Sequence, residues 1–282
     1  MKLSSLVISF SLTIVVGWFL LTDAANEKRV DGSSWVVTTA VSHRGLHTSE
    51  APENSLAAFQ NAVAKKFAIE LDVRLAADGQ VIVFHDANFK RMCGVNKSVT
   101  DVTYKEAQHY LLKNTDQQIP LLKDVLKFID GRVPIYIELK ATPGSENELA
   151  SQVHAVIKGY QGPLAVISFN PIALKWFRVN APNIIRGQTA CSDGDDEASG
   201  LSSIKKFSHK YYLSNWQSKP DFYIYSLQDL PNFSLEVLHK IGKPLLVWGV
   251  ENEKDLATAK ATADNFMFDK IANLLSVDGS SS

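Results

Sequence analysis

The chain has 282 residues, of which 45% are hydrophobic and 21% are charged, and its formal net charge is −1. These values are typical of a globular protein with a sizeable core, and the small net charge provides no general attraction for nucleic acid or for an anionic membrane. The two cysteines, Cys93 and Cys191, lie far apart and lack the spacing of a zinc site. We therefore expect two unpaired thiols, with a single disulfide as the alternative.

The first 25 residues are expected to form a targeting segment. Met1-Lys2 is followed by an uncharged, mostly apolar run over residues 3–22, and a run of about 20 residues can cross a bilayer. We expect an N-terminal hydrophobic helix that anchors the chain, with a cleaved signal peptide, and thus a secreted or periplasmic protein, as the alternative. Lys2 favours a domain outside the cytoplasm, although Lys28 and Arg29 weaken that prediction. Residues 26–34 are polar and indicate a linker.

The soluble part is predicted to begin with a strand over residues 35–41, which are rich in β-branched side chains. His43-Arg44-Gly45 follows, and a glycine that permits a turn beside two basic side chains is a plausible corner for binding an anion. Pro52-Glu53-Asn54-Ser55 then starts a helix that Asn54 or Ser55 can cap. Glu53 and Asn54 point either at the site or at the helix's own amides, and for Asn54 we expect capping.

The next strand carries two acidic residues in a regular pattern. Residues 69–73 alternate apolar and acidic side chains, so Glu70 and Asp72 leave the strand on the same face, and the opposite face is apolar as well. Two carboxylates on one buried face are unfavourable unless a cation neutralises them. The pattern therefore indicates a cation at this point of the strand.

A turn and a second strand are expected to bring a histidine to these acids. Asp78-Gly79 predicts a turn, and the strand over residues 81–84 can fold back and place His85 beside the carboxylates. Together the three side chains indicate a metal-assisted acid–base site. A purely structural acidic pair, neutralised by Arg74 or by a lysine, is the alternative.

A third carboxylate follows on a later strand. Residues 86–118 are polar and are predicted to form a small insertion, with one short helix over residues 104–112. After a helix that ends at Gly131, a strand over residues 133–140 carries Glu138 and Lys140 on one face. An internal ion pair between Glu138 and Lys140 is the alternative to a role at a metal site.

The remainder of the chain alternates strands and helices. Further strands are predicted over residues 164–169, 183–190, 222–227, 244–250 and 265–269, with helices between them. Eight strands alternating with helices predict an α/β protein with a (β/α)₈ TIM barrel over residues 35–282, bearing the small insertion after its second strand. An open doubly wound sheet is the alternative, but no Gly-rich phosphate loop follows any strand.

A barrel would bring the scattered polar residues to one place. In this fold the active site lies at the carboxyl ends of the strands. His43 and Arg44 follow the first strand, while the acids of the second strand and Glu138 and Lys140 of the third lie near the ends of theirs. We therefore expect these side chains and His85 to converge at the mouth of the barrel.

The motifs, in this order and with this spacing, resemble the glycerophosphodiester phosphodiesterase family. The resemblance covers residues 41–140 closely, and beyond them it rests on Ser168-Phe169, Trp248 and the barrel alternation. The motifs that carry it are His43-Arg44-Gly45, Pro52-Glu53-Asn54-Ser55, Glu70-Leu71-Asp72-Val73, Asp78-Gly79, His85-Asp86, Ile119-Pro120-Leu121 and Ile137-Glu138-Leu139-Lys140.

The resemblance implies one divalent cation at the barrel mouth, held by Glu70, Asp72 and Glu138. Carboxylate oxygens are hard ligands and suit Ca²⁺ or Mg²⁺ rather than Zn²⁺. By the same resemblance, His43 and His85 would form the general acid–base pair. The resemblance also assigns the substrate phosphate to Arg44 and Lys140.

The function implied by the resemblance is the metal-dependent hydrolysis of glycerophosphodiesters to glycerol 3-phosphate and an alcohol. A lysophospholipase D that acts on lysophospholipids with the same residues is the nearest alternative, and the membrane segment favours it. A different class of function is a catalytically silent barrel that serves as a membrane-tethered binding module. The expected partners are a small phosphodiester or lysolipid and a membrane, with no nucleic acid.

Some positions depart from the family pattern or have open interpretations. Gly249-Val250-Glu251 and Phe268-Asp269-Lys270 differ from the usual family motifs, which leaves the specificity for the alcohol open. Trp248 could stack on a headgroup or pack inside the barrel. Asp86 could orient an imidazole or form a turn, and His47 is expected to lie near the mouth. We expect the acidic segment 193–197 to be a solvated loop.

Overall fold

The computed structural model describes residues 29–191 and 203–275, together with the isolated Gly17. The predicted membrane segment at residues 3–22 and the acidic segment 193–197 lie outside the described residues. Among the described residues, no helix has both the length and the apolar character that crossing a membrane would require.

Eight parallel strands close into a barrel, which confirms the predicted fold class. The first strand pairs with both the second and the last, and this double pairing closes the sheet. A ninth strand, β3, pairs antiparallel with the carboxyl-terminal part of β2, at the mouth of the barrel. The strands are β1 (Val41–Ser42), β2 (Ala68–Leu75), β3 (Val81–Val83), β4 (Ile135–Leu139), β5 (Leu164–Ser168), β6 (Ile185–Ala190), β7 (Phe222–Ser226), β8 (Leu245–Val250) and β9 (Asn265–Phe268).

Helices connect the strands on the outside of the barrel. The longer ones carry apolar stripes that pack on the outer face of the sheet, while their polar sides face solvent. The helices are α1 (Trp35–Thr38), α2 (Leu56–Ala64), α3 (Lys90–Cys93), α4 (Tyr104–Ala107), α5 (Leu122–Ile129), α6 (Glu146–Ile157), α7 (Pro171–Asn180), α8 (Ser203–Lys210), α9 (Asn215–Ser218), α10 (Phe233–Lys240) and α11 (Glu253–Thr262), with short 3₁₀ turns at Val99–Asp101, Leu227–Asp229 and Ala272–Leu274.

The start of the barrel differs from the prediction, because residues 35–41 do not form one strand. Trp35–Thr38 is a short helix capped by Ser34, and only Val41–Ser42 joins the sheet. The ring of Trp35 contacts that of Tyr136 at 5.1 Å, and the Tyr136 hydroxyl donates to the carbonyl of Val36. The apolar side chains of this segment thus close the bottom of the barrel, and this packing overrides their β propensity.

The segment between β3 and α5 has a small apolar core of its own, although its sequence shows little periodicity. The predicted helix over residues 104–112 is limited to Tyr104–Ala107. Phe89 is fully buried at the centre, with its ring 5.0 Å from that of Phe84 and 5.2 Å from that of Tyr110. Cys93, one of the two thiols, is free and half-buried in the same segment.

Truncating Phe89 to alanine should destabilise the protein. Deleting a buried phenyl ring costs about 3–5 kcal/mol, because both its transfer free energy and its contacts are lost. Phe233, whose side chain is 64% exposed, is the matched control, and Phe233→Ala should change stability by less than about 0.5 kcal/mol. Urea denaturation of both variants measures the difference, and equal stabilities would contradict the assignment of a core to this segment.

Candidate active site at the barrel mouth

Three carboxylates meet inside the barrel mouth on two neighbouring strands. Glu70 and Asp72 project inward from β2 and Glu138 from β4, where Asp72 and Glu138 are register partners. Their exposed fractions are 1%, 0% and 6%. One oxygen of each can be chosen so that all three lie within 4.8 Å of one another. The structure therefore brings together the three acids that the sequence singled out.

Burial and mutual repulsion act on the pKa values of this trio, and nearby cations oppose them in part. Burial, followed by the charges of Asp72 and Glu138, raises the pKa of Glu70 well above its usual value. Burial alone would also raise the pKa of Asp72, but the charges of His85 and Arg44 outweigh it and hold that pKa below its usual range. Burial and the neighbouring carboxylates thus disfavour the charged form of Glu70, while nearby cations favour the charged form of Asp72.

The trio fits a divalent cation. Considering only the residues that the structure describes, Glu70 Oε1 is buried and accepts no hydrogen bond, and the same holds for Asp72 Oδ1. Buried oxygens without a donor are unfavourable, and a metal ion supplies what they lack. Three hard oxygen ligands at this spacing suit Ca²⁺ or Mg²⁺.

Lys140 and Arg44 lie against the acids, as expected from the sequence. Lys140 Nζ is 2.8 Å from Glu138 Oε1 and 3.6 Å from Asp72 Oδ1. The ion pair considered as an alternative for Glu138 is therefore present within the larger cluster. Arg44 Nε is 3.4 Å from Asp72 Oδ2, and the backbone N–H of Arg44 donates to Glu70 Oε2 at 2.9 Å.

Gly45 is required by the turn that places Arg44. Its φ is +80°, and a Cβ at this position would lie 2.9 Å from the ring of Phe59 and 3.0 Å from Ala58. Any side chain would push the turn away from α2, so the glycine fixes where the neighbouring histidine and arginine lie.

His43 is held by a carboxylate that also binds a second imidazole. Asp269 Oδ2 is 3.0 Å from Nδ1 of His43, and Asp269 Oδ1 is 2.9 Å from Nε2 of His47. Burial works in the opposite direction, but these two histidines lower the pKa of Asp269 below its usual range. Because Nδ1 of His43 is engaged, Nε2 is the nitrogen that can exchange a proton with a ligand.

His85 is held in the same manner, by a carboxylate on its Nδ1. Asp86 Oδ1 is 2.8 Å from Nδ1 of His85, and Arg91 binds both oxygens of Asp86. Arg74 Nε donates to the backbone carbonyl of His85 at 2.6 Å. Asp86 therefore orients an imidazole, and Arg74, which was considered as a partner for the acids, also binds the backbone of His85.

The prediction that Asn54 caps α2 is wrong, because Ser55 is the cap. Ser55 Oγ accepts from the N–H of Ala58 at 3.1 Å. Asn54 has φ = 59° and turns its amide toward the site, where Nδ2 donates to Asp72 Oδ2 at 2.8 Å and Oδ1 accepts from the N–H of Asp72 at 3.2 Å. A buried carboxylate is a better partner for an amide than a helix end that already has a hydroxyl.

Trp248 lies at the mouth end of β8 and packs, partly buried, against the apolar cluster inside the barrel. Its indole Nε1 is buried and has no hydrogen-bond partner within the described parts of the chain. The packing of Trp248 agrees with its interpretation as a core residue. Its indole N–H is nevertheless available as a donor, and its role in substrate binding stays a prediction.

Two charged residues, Asp269 and Arg91, were not assigned to the site from the sequence. Asp269 was noted only as a departure from a family motif, and Arg91 was not considered. Asp269 directly follows β9, so the rule that polar side chains at strand ends face the mouth would have found it. Arg91 gave no such signal, because it lies on a short helix of the insertion and reaches Glu53 and Asp86 only through the tertiary fold.

A cleft of about 970 Å³ opens beside His43 and Arg44. One wall is the turn after β1, and the other is formed by α3 and the loop around Leu111. The cleft is several times larger than a glycerol group, so it has room for a substituent on a ligand bound at the acids.

The chain is similar to known proteins of one family. Residues 43–274 match the family model described as the glycerophosphoryl diester phosphodiesterase family. A lysophospholipase D of Rattus norvegicus is 40% identical over 134 residues, which cover 43% of this chain and 41% of that protein. A glycerophosphodiester phosphodiesterase of Bacillus altitudinis is 34% identical over 162 residues, covering 52% of this chain and 64% of that protein. The chain thus matches less than two thirds of the length of these relatives.

Solved structures show the same barrel. A phosphodiesterase of Oleispira antarctica, in complex with its product sn-glycerol-3-phosphate, superposes with a TM-score of 0.69 at 21% identity and covers 86% of this chain and 97% of that one. A glycerophosphodiester phosphodiesterase of Thermotoga maritima has a TM-score of 0.63 at 26% identity, covering 84% and 96%. Since the family model spans most of the chain, including both histidines and all three acids, this protein belongs to the glycerophosphoryl diester phosphodiesterase family.

Proposed function

We propose that this protein hydrolyses glycerophosphodiesters to glycerol 3-phosphate and an alcohol, using a divalent cation and two histidines. The observation that carries the proposal is the buried trio Glu70, Asp72 and Glu138 at one barrel mouth. Such a trio is unfavourable without a cation, and family membership makes a phosphodiester the expected ligand.

Arg44 and Lys140 are the residues that would bind the phosphate. Both carry fixed positive charge inside the mouth, beside the acids, with exposed side-chain fractions of 17% and 3%. A phosphodiester gains negative charge on its non-bridging oxygens during attack, and cations in a partly dry cleft stabilise that charge more strongly than in water. A divalent ion held by the three acids, Ca²⁺ or Mg²⁺, would supply further positive charge to the same oxygens.

His43 and His85 would act as general base and general acid. Each binds a carboxylate through Nδ1, Asp269 for the first and Asp86 for the second, so each presents Nε2 for proton exchange. One imidazole would accept the proton of the attacking hydroxyl, either of water or of the substrate, and the other would protonate the departing alkoxide.

The closest alternative concerns the substrate rather than the chemistry. The relative from Rattus norvegicus is named a lysophospholipase D, and the cleft beside His43 has room for a substituent on the glycerol. A lysophospholipid would be cleaved by the same residues. A catalytically silent binding module is less favoured, because both imidazoles keep a carboxylate partner that binding alone does not need.

We also propose that the protein is anchored in a membrane by residues 3–22, or secreted after their removal, with the barrel outside the cytoplasm. The support is the apolar run itself and the lysine that precedes it.

Replacing either catalytic histidine should greatly reduce turnover. His43→Ala and His85→Ala are each expected to lower kcat about a hundredfold or more, because a positioned acid or base contributes that much. The measurement is release of glycerol 3-phosphate from glycerophosphocholine. His109→Ala, at an exposed position of the insertion, is the control, and full activity of a folded His43→Ala/His85→Ala double variant would refute the assignment.

Chelation should abolish turnover, and Ca²⁺ or Mg²⁺ should restore it. The same ion should raise the Tm of the wild type, since a ligand that binds only the folded state stabilises it. Glu70→Gln should remove that rise in Tm, whereas Glu148→Gln on the exposed side of α6 should keep it. A metal-induced rise of equal size in Glu70→Gln would show that the trio is not the binding site.

Loss of the carboxylate behind His43 should slow the reaction without preventing binding. Asp269→Asn is expected to lower kcat about tenfold or more with little change in KM, because the imidazole loses the partner that fixes its tautomer. His47→Gln leaves that bond in place and should have a smaller effect. Steady-state kinetics of both variants provide the test, and equal losses of kcat would contradict a specific role of Asp269.

A further inference from the structure

Large apolar side chains that are exposed to solvent lie on the rim of the barrel mouth. Ile172 and Phe233 are 43% and 64% exposed and are the second residue of α7 and the first of α10. Helices that follow parallel strands begin beside the strands' carboxyl ends, which is the end of the barrel that holds the acids. Both side chains therefore lie on the mouth rim.

Phe207 belongs to the same rim. It is 53% exposed on α8, and two residues further on the ring of His209 stacks on that of Phe169 with centroids 5.8 Å apart. Phe169 directly follows β5, and its ring lies 5.3 Å from Nζ of Lys140. These contacts place α8 at the mouth.

A hydrogen bond joins α8 to the next rim helix. Asn232 Nδ2, at the cap of α10, donates to the carbonyl of Lys210 at 2.9 Å. Ile172, Phe207 and Phe233 thus lie on three neighbouring elements, and we refer to them as the apolar arc. Exposed apolar groups that gather beside an active site indicate a contact surface.

The other side of the mouth carries positive charge. Lys90, Lys113 and Lys270 line the cleft, and none forms an ion pair with a residue in the described parts of the chain. Leu111, 47% exposed, lies on the same cleft. Glu251 also lines it and, within the described parts of the chain, forms no ion pair. Lysines near a lipid surface are attracted to anionic headgroups, so the charge of this side complements such a surface.

We propose that the barrel mouth docks on the surface of an anionic lipid bilayer through the apolar arc and the cleft lysines, so that the substrate enters as a lysophospholipid still in the lipid phase. The proposal rests on the proposed phosphodiesterase function and specifies where its substrate comes from. Apolar side chains that enter the boundary between headgroups and acyl chains, with lysines beside them, are the usual means of interfacial binding.

A lipid surface suits this rim better than a protein partner. The arc and the lysines surround the opening through which a substrate must reach the acids. A protein that covered the rim would block this opening, whereas a lipid surface that covers it delivers the substrate. The phosphodiester of a lysophospholipid lies at headgroup level, directly opposite the docked mouth.

The test uses the full-length protein and compares hydrolysis of a substrate in lipid vesicles with hydrolysis of a dissolved substrate. The Phe207→Ser/Phe233→Ser variant should lower kcat/KM about tenfold or more for lysophosphatidylcholine in mixed phosphatidylcholine–phosphatidylglycerol vesicles, since two exposed rings lose their apolar contact. Turnover of dissolved glycerophosphocholine should be unchanged. Every protein compared keeps residues 1–34, so any anchoring by them contributes equally.

The matched control is a pair of exposed apolar residues away from the mouth. Val179 is 62% exposed near the end of α7, about 10 Å along the helix from Ile172, and Trp216 is 46% exposed on α9. Val179→Ser/Trp216→Ser should leave both rates unchanged. An equal fall in this control, or an unchanged vesicle rate in the arc variant, would overturn the proposal.

Two further outcomes test the role of the lysines and distinguish failure of the docking surface from failure of the proposed function. Wild-type turnover should be faster on the mixed vesicles than on pure phosphatidylcholine at low salt, and equal rates would overturn the role of the lysines. If the wild type cleaves neither substrate, the proposed function fails rather than the docking surface. If the double variant has a markedly lower Tm than the wild type, the single variant Phe233→Ser provides the same comparison, because Phe233 is the most exposed residue of the apolar arc.

Discussion

Mutual repulsion among three buried carboxylates is the constraint on which the rest of this site depends. Glu70, Asp72 and Glu138 stand on neighbouring strands whose register makes them adjacent. The surrounding residues compensate for this repulsion with an ammonium, a guanidinium, an amide and a backbone N–H. Even so, burial and the two neighbouring carboxylates raise the pKa of Glu70, and none of the described residues donates to its Oε1.

Three residues near the mouth that are not glycine have an uncommon backbone conformation. Arg44, Asn54 and Lys270 all have positive φ values, of 56°, 59° and 61°. Positive φ is unfavourable for residues other than glycine and persists only where the surroundings impose it. Two of these residues turn toward Asp72, and the third follows Asp269.

The two imidazoles are held by equivalent but separate means. Each has a carboxylate on Nδ1, yet one carboxylate comes from the end of the last strand and the other from the residue next in sequence. Asp269 shares its charge with a second histidine, whereas Asp86 shares its charge with an arginine. One imidazole is thus held by packing between the two ends of the barrel strand order, and the other by its own neighbour in sequence.

Much of the architecture could be predicted from the sequence because it follows from local periodicity. Alternation of period two placed Glu70 and Asp72 on one face, and the repeated change from strand to helix indicated a closed barrel. Because the carboxyl ends of barrel strands meet at one mouth, the sequence predicts that the acids, Arg44, Lys140 and both histidines lie near one another.

Other features were decided only by the tertiary structure, because they depend on partners that are distant in sequence. Residues 35–38 became a helix because they plug the barrel bottom, and Asn54 turned to a buried carboxylate 18 residues away instead of capping its helix. Asp269 reaches His43 across 226 residues. The sequence by itself determined which chemical groups are present and on which face of each element they lie. The closed barrel decided which of them touch, since contact between such distant residues depends on long-range packing that no local pattern encodes.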